Sequence, residues 1–377
     1  MSHGSTDQKA DNTPTPAGHG HGHGHGASAA AAVDEITAPK VPKEEKSSSF
    51  FVQEIHAFYS GVMFFTRLSV PKWVCSNLAL SMSTKTSPKV NHSLYWLSLS
   101  TVYFPVIGVI VALFGFFWFT LGYYLFPGST MIPALFYTMA TIRFTGGFHE
   151  DGLADMCDGF GGGWTKSTIL RIMRDSTIGT FGGLGLILFQ LTKMAAISHL
   201  LETIPLGVVE PGWAVVHASA PVLVQHLWKL AHVGGVLVTA HVFARWSCTY
   251  LLWRYKYVEN ASAVGKEYLL TVTPRRVVMA TLFTALLGAG ALAAVPAQEY
   301  WIQIGVSWAV SIYVTVYWGA YINRIIGGVI GDCLGATNQI VECSIYLALG
   351  INWFRVFGDA ADLYLILKAF VDRFVKA

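Results

Sequence analysis

Residues 93–142 read SLYWLSLSTVYFPVIGVIVALFGFFWFTLGYYLFPGSTMIPALFYTMATI and contain no charged side chain. A bilayer's hydrocarbon core is about 30 Å thick and is crossed by about 20 apolar residues in a helix. The run is more than twice that length. Pro127-Gly128-Ser129 is a turn signal inside it. The stretch therefore reads as two spans, about 94–126 and 129–147, joined by a charge-free hairpin.

Further apolar segments follow at 178–200, 233–253, 277–297 and 300–322, with a seventh at 340–357. Residues 213–231 carry His217, His226 and Lys229 and read as a surface helix. Phe50–Arg67 is short and holds Glu54 and His56, as an interfacial helix would. At the other end, Leu363, Ile366, Leu367, Phe370 and Phe374 share one helical face, so 358–377 reads as an amphipathic tail on the membrane surface. Residues 1–48 are low in complexity and include HGHGHGHG at 19–26, a disordered tail with affinity for transition metals. The expectation is an all-α polytopic integral membrane protein. It has about 7 transmembrane helices, within a range of 6–8, and an N-terminal interfacial helix. Residues 49–357 form the membrane-embedded domain.

Composition agrees. Of 377 residues, 53% are hydrophobic and 12% charged, against about 25% charged in soluble proteins. Mean hydropathy is +0.48. These values exclude a disordered chain and a coiled coil. A net charge of +3, with Lys and Arg scattered, argues against a nucleic-acid partner. Cys75, Cys157, Cys248, Cys333 and Cys343 are odd in number and form no CxxC pair, so neither a disulfide framework nor a structural zinc site is expected. No apolar core region in the first 30 residues suggests a cleaved signal.

Lys and Arg concentrate at 40–89, 143–176, 254–276 and 324, while the connections at 127–130, 201–212 and 298–299 carry none. The positive-inside rule places the first group in the cytoplasm. The parity of spans between those segments agrees, provided 213–231 does not cross.

One such segment, Thr145–Gly163, reads TGGFHEDGLADMCDGFGGG. Asp151, Asp155 and Asp158, spaced i, i+4, i+7, share one face of a helix. Carboxylates so close repel one another unless a cation sits among them. Hard oxygen donors suit Mg²⁺, or Mn²⁺ in its place, and Mg²⁺ commonly bridges carboxylates to substrate phosphates. The surrounding glycines, Gly152 among them, let backbone approach an anion closely. His149 is placed as a general base or a phosphate donor. Arg174 and Asp175 follow at a membrane entry, where Arg174 can hold a phosphate in bidentate fashion.

A second polar stretch, Asn323–Glu342, reads NRIIGGVIGDCLGATNQIVE. A Gly-rich polar segment between apolar spans must line a cavity or lie at the interface. Gly331, Asp332, Asn338 and Glu342 are its candidate site residues, on the same side as the aspartates by parity. Arg245, inside a span, needs a partner or must snorkel to the interface. Acidic face, glycines, arginine and membrane together point to Mg²⁺-assisted phosphoryl or phospho-alcohol transfer.

These motifs resemble the cobalamin synthase (adenosylcobinamide-GDP ribazoletransferase) family. HEDGLADMCDG at 149–159 is similar to its H-x-D-G-L-A-D-x-x-D-G signature, IMRDSTIGTFG at 172–182 to its second motif and GGVIGDCLGATNQIVE at 327–342 to its third. FFTRLSVP at 64–71, which contains Arg67, and FPVIG at 104–108 resemble its N-terminal motifs. The likeness runs from about Phe50 to Leu349. Thr177 stands where the family carries a basic residue. The His-Gly tail, the polar segment at 74–92 and residues 203–231 look like additions.

The resemblance implies that adenosylcobinamide-GDP and α-ribazole, or its 5′-phosphate, are joined with release of GMP in cobalamin (vitamin B12) biosynthesis. Asp151, Asp155 and Asp158 would hold Mg²⁺ on the pyrophosphate, with His149 and Asp332 also catalytic. Arg67, Gly152, Arg174, Asp175, Gly331, Asn338 and Glu342 would bind substrate. It also implies the inner membrane of a prokaryote, a site facing the cytoplasm, and assembly as a homo-oligomer or with other cobalamin-assembly enzymes. Two other classes fit the bare residues. A CDP-alcohol-type phosphotransferase would carry an Ala-Arg pair after Asp151-Gly152, which is absent here. An ion-coupled transporter would carry its acids at mid-membrane on broken helices.

Overall fold

The computed structural model describes residues 50–69, 94–204, 221–258, 272–294 and 297–353, with scattered positions as far as Lys368. The His-Gly run, the segment at 74–92, residues 205–220 and most of the C-terminal tail lie outside them. All described residues belong to one compact unit, Pro39–Ala377.

The described residues are almost wholly helical. These are α1 (Phe50–Phe65), α2 (Leu94–Ser100), α3 (Phe104–Leu125), α4 (Met131–Thr145), α5 (Phe148–Gly162) and α6 (Lys166–Ile172). Next come α7 (Thr180–Thr203), α8 (Val222–Arg254), α9 (Pro274–Ala291), α10 (Ala297–Ile326) and α11 (Gly331–Leu349). Among them, one parallel bridge between Tyr257 and Val329 is the extent of β pairing.

The hairpin falls where the turn residues place it. α3 ends at Leu125 and Gly128 takes φ +89°, a left-handed conformation that glycine adopts without steric cost. Three boundaries differ from expectation. First, α4 has 15 residues, about 22 Å at 1.5 Å per residue, and stops short of a straight bilayer crossing. Second, residues 222–231 are not a separate surface helix. They are the first turns of α8, which runs unbroken for 33 residues. No proline interrupts it, His226 is tied to the Tyr123 hydroxyl at 2.5 Å, and Gly235 lies against the Ala291 carbonyl where a Cβ would not fit. Third, α11 begins at Gly331 rather than near 340, because Gly327, at φ +75°, turns the chain after α10. The polar third motif is therefore helical.

α8 is the central helix, buried along most of its length from Leu230 to Leu252. Its Val233, Val236, Leu237 and Ala240 pack with Phe119, Tyr137, Ile197 and Ile345 from four other helices. The outer faces of α3, α7, α9 and α10 expose Phe117, Leu188, Leu286 and Tyr313. Such a surface suits lipid rather than water. Trp96–Leu125, Thr180–Thr203 and Val222–Arg254 are long and apolar enough to cross a membrane. The architecture is that of an all-α membrane protein.

Candidate active site

The site is built where α4 turns into α5. Gly146 caps the end of α4 and Gly147 caps the start of α5, with φ of 77° and 74°. These left-handed values strongly favour glycine. The Arg67 guanidinium occupies the space where Gly146 lacks a Cβ, and its Nη2 donates to the Gly146 carbonyl at 3.5 Å. The Arg67 backbone N–H donates to the Phe144 carbonyl at 2.8 Å. Beside it, Phe65 stacks on His149 at 5.6 Å and Phe64 meets Phe148 edge-on at 5.0 Å. The end of α1 thus seats the start of α5.

α5 and α11 cross antiparallel at glycines. A Cβ on Gly152 would lie 2.7 Å from the Asp332 carbonyl oxygen, and one on Gly335 would lie 3.3 Å from the His149 Cα. Small residues let helix backbones approach this closely. The first and third motifs, 180 residues apart, become one structure. Asp151 is exposed; Asp155 and Asp332 are half-buried. Burial first, then the charges of Asp332, Asp151 and Asp158, push the Asp155 carboxyl up to about 7.

A divalent cation held at Asp155 would have to displace the proton that burial and these charges retain. Mn²⁺ affinity should therefore climb as pH rises towards 7 and level off above it, because the proton competes only below the carboxyl's own pKa. Titrating Mn²⁺ binding between pH 5 and 8.5 checks this. A flat profile would contradict a cation held at Asp155.

Asp158 joins the second motif to the first. Its two oxygens accept the Gly179 and Gly182 N–H groups, each at 2.7 Å. A carboxylate so placed satisfies the free N–H groups of α7's first turn and complements its dipole. Each oxygen keeps a second lone pair for another donor or a cation. Asp175 Oδ1 accepts from the Thr177 N–H at 3.0 Å and the Thr177 hydroxyl at 2.7 Å. Thr177 therefore shapes the turn that carries Arg174, whose side chain is exposed.

The other candidates lie deeper. His149 is 1% exposed, and Nε2 has no hydrogen-bond partner among the described residues. Burial, then the Arg245 charge, holds its pKa well below the usual histidine range. Gly331 lies near the Tyr257 hydroxyl. The buried Asn338 amide donates to Cys248 Sγ at 3.7 Å.

Glu342 is fully buried at the centre of an ion cluster. Lys193 Nζ lies 2.5 Å from Oε1, and the Tyr346 hydroxyl donates to the same oxygen at 3.1 Å. Oε2 faces His241 Nδ1 at 3.3 Å and Arg245 Nη1 at 3.5 Å. Arg245 also touches His241 Nδ1. Arg245 is thus paired inside the bundle, at 1% exposure, and does not snorkel. Sequence reading missed Lys193 and His241. The signal was present, since an ionisable residue within an apolar span marks a function or a partner.

Among the described residues no three His, Cys, Asp or Glu side chains form a ready-made metal cage. The donor chemistry still fits Mg²⁺, which typically keeps waters and binds through one or two carboxylates plus substrate phosphates.

The model of the cobalamin-5-phosphate synthase family matches residues 57–350. A protein of Polaromonas naphthalenivorans named adenosylcobinamide-GDP ribazoletransferase is 33% identical over 306 residues, covering 80% of this chain and 99% of its own. Proteins of the same name from Leptospira interrogans and Shewanella amazonensis are 31% and 30% identical, covering 80% and 81% of this chain and 97% and 98% of theirs. No solved structure matches. Motifs dispersed along the sequence but joined in the fold, and a match over most of the chain, lead to one conclusion: this chain is a membrane transferase that belongs to the cobalamin-5-phosphate synthase family.

Proposed function

We propose that the chain transfers the adenosylcobinamide-phosphate moiety from adenosylcobinamide-GDP to α-ribazole or its 5′-phosphate. A ribose hydroxyl of the ribazole attacks the phosphorus nearest the cobinamide. A new P–O bond forms, the P–O bond to GMP breaks, GMP leaves with the bond's electron pair, and the hydroxyl proton passes to solvent or a base. The observation that supports this reading is the α5–α11 crossing, which brings Asp332 beside Asp151 and Asp155, all three at least partly open to solvent.

Asp151 and Asp155, with Asp158 and Asp332 beside them, would hold Mg²⁺ or Mn²⁺. Bound there, the cation supplies charge stabilisation to the attacking and leaving oxygens of the displacement. Arg67 and Arg174, both exposed, offer cations to the pyrophosphate. His149 holds α5 by stacking on Phe65. Glu342 and Asn338 support α11 from within the bundle. The polar chemistry at the helix ends favours catalysis over ion-coupled transport.

In detergent micelles no gradient exists, so transport has no readout and catalysis does. Purified protein given adenosylcobinamide-GDP, α-ribazole and Mg²⁺ should release one GMP per ribazole consumed, and chelation should stop it. No GMP under these conditions would overturn the proposal.

The reading places about seven spans in a prokaryotic inner membrane, with the site facing the cytoplasm. Between the aspartates and Asp332 lie the short α6 and four long helices, α7 to α10; four crossings return the chain to the same side if each long helix crosses once and α6 does not. Single cysteines at Ser167 and Lys256, both exposed, should react with a membrane-impermeant maleimide only when the cytoplasmic face is opened. Labelling of one from outside intact cells would contradict the arrangement.

A further inference from the structure

The proposed transfer makes no use of a line of contacts that leads from the Glu342 cluster to the neighbour of Asp151. Lys193 Nζ, already on Glu342, also donates to Gln339 Oε1 at 3.4 Å. Gln339 Nε2 donates to Glu150 Oε1 at 2.9 Å. These four side chains come from α7, α11 and α5, and the most open of them, Glu150, is 7% exposed.

Packing alone does not require polar groups here. Well-packed apolar side chains often hold helices together as well as a buried ionic set does, and each buried polar atom left unpaired costs about 1–3 kcal/mol. What a polar relay adds is direction. The glycine contacts at Gly152 and Gly335 are smooth, and such faces tolerate small rotations and slides. A hydrogen bond weakens steeply as its angle falls, so the Gln339–Glu150 bond fixes how α5 is turned. Adjacent residues on a helix differ by about 100° in direction. Glu150 aimed into the bundle therefore leaves Asp151 aimed out of it, as their burial records.

We propose that Lys193, Gln339 and Glu150 are positioning residues: through them the intramembrane ion cluster sets the rotation and height of α5, so that Asp151 and Asp155 face Asp332. This rests on the reading of those carboxylates as the divalent site of the transfer. The relay reaches the reacting groups only through α5 itself.

Three variants separate positioning from plain stability. Glu150→Gln keeps the oxygen that accepts from Gln339 and removes the charge. Glu150→Leu removes the acceptor. Gln339→Leu removes the relay and leaves Glu342 its partners Lys193, His241 and Arg245. Since misplacing reacting groups by about 1 Å can cost about 10²-fold in rate, Gln339→Leu and Glu150→Leu should lower kcat at least about tenfold, with KM for adenosylcobinamide-GDP changed less than about threefold. The same two should weaken Mn²⁺ binding, read by electron paramagnetic resonance on purified protein, at least about fivefold. Glu150→Gln should stay within about threefold of wild type in both readouts.

Wild-type kcat and Mn²⁺ affinity in Gln339→Leu would overturn the proposal. So would a Glu150→Gln protein as impaired as Glu150→Leu, since the charge itself would then act in the chemistry. If Glu150→Leu does not fold, Gln339→Leu decides alone. If wild type binds Mn²⁺ and releases no GMP, the transfer reading fails, and the Mn²⁺ affinities of the variants still support or sink the positioning role.

Discussion

Glu342→Ala is expected to destabilise the protein by about 3–5 kcal/mol, because removing one member of a buried ionic set strands the others. Lys193 and Arg245, each 1% exposed, would remain in the bundle with no carboxylate between them. The loss extends beyond one contact, since Glu342 also receives Tyr346, whose hydroxyl meets that of Tyr137 at 3.1 Å. One residue thus ties α4, α7, α8 and α11. The measurement is the thermal unfolding midpoint in detergent, with the monodisperse fraction alongside. Lys193→Met combined with Glu342→Gln should recover much of the loss, because it removes a cation with the anion. An alanine variant as stable as wild type would show that the cluster does not hold the bundle.

The second large effect is on rate. Asp151→Asn and Asp155→Asn should each lower kcat at least about 10²-fold, a loss of about 2.7 kcal/mol of transition-state stabilisation. Asparagine keeps the size and one oxygen of the side chain, so packing on α5 survives while the charge that holds a cation goes. Asp151 is exposed and carries little of the fold, so its variant should purify normally and lose activity. Near-wild-type turnover in either would remove the aspartate face from the mechanism. Steady-state GMP release at saturating substrate and several Mg²⁺ concentrations makes the comparison.

Local features were legible in the sequence. The Pro127-Gly128-Ser129 turn and the helix that carries Asp151, Asp155 and Asp158 depend on a few adjacent residues, and both recur in the structure. Features set by contacts between distant helices were not. Nothing near Lys193 in sequence indicates that its amine will reach Glu342, which 148 intervening residues separate from it. His217, His226 and Lys229 made 213–231 read as a surface helix, of which the structure describes residues 221–231. In the fold the first turns of α8 continue into its buried centre, and His226 finds Tyr123. Asp158 has the spacing of a metal ligand, and only the return of Gly179 and Gly182 reveals its tie to α7. Polar residues in the third motif pointed to a cavity or interface. In the structure Asn338, Gln339 and Glu342 find protein partners inside the bundle, and Asp332 alone among its acids reaches water.

The central claim is that α5 and α11 supply one site. A double-mutant cycle on kcat with Asp155→Asn and Asp332→Asn tests it most directly. Residues that act as a unit are strongly non-additive, and distant independent ones add within about 0.5 kcal/mol. The account predicts that each single variant loses most of the activity and that the double variant loses little more than either. Wild-type turnover in Asp332→Asn, or single losses that simply multiply in the double variant, would contradict a shared site and leave α5 to act without α11.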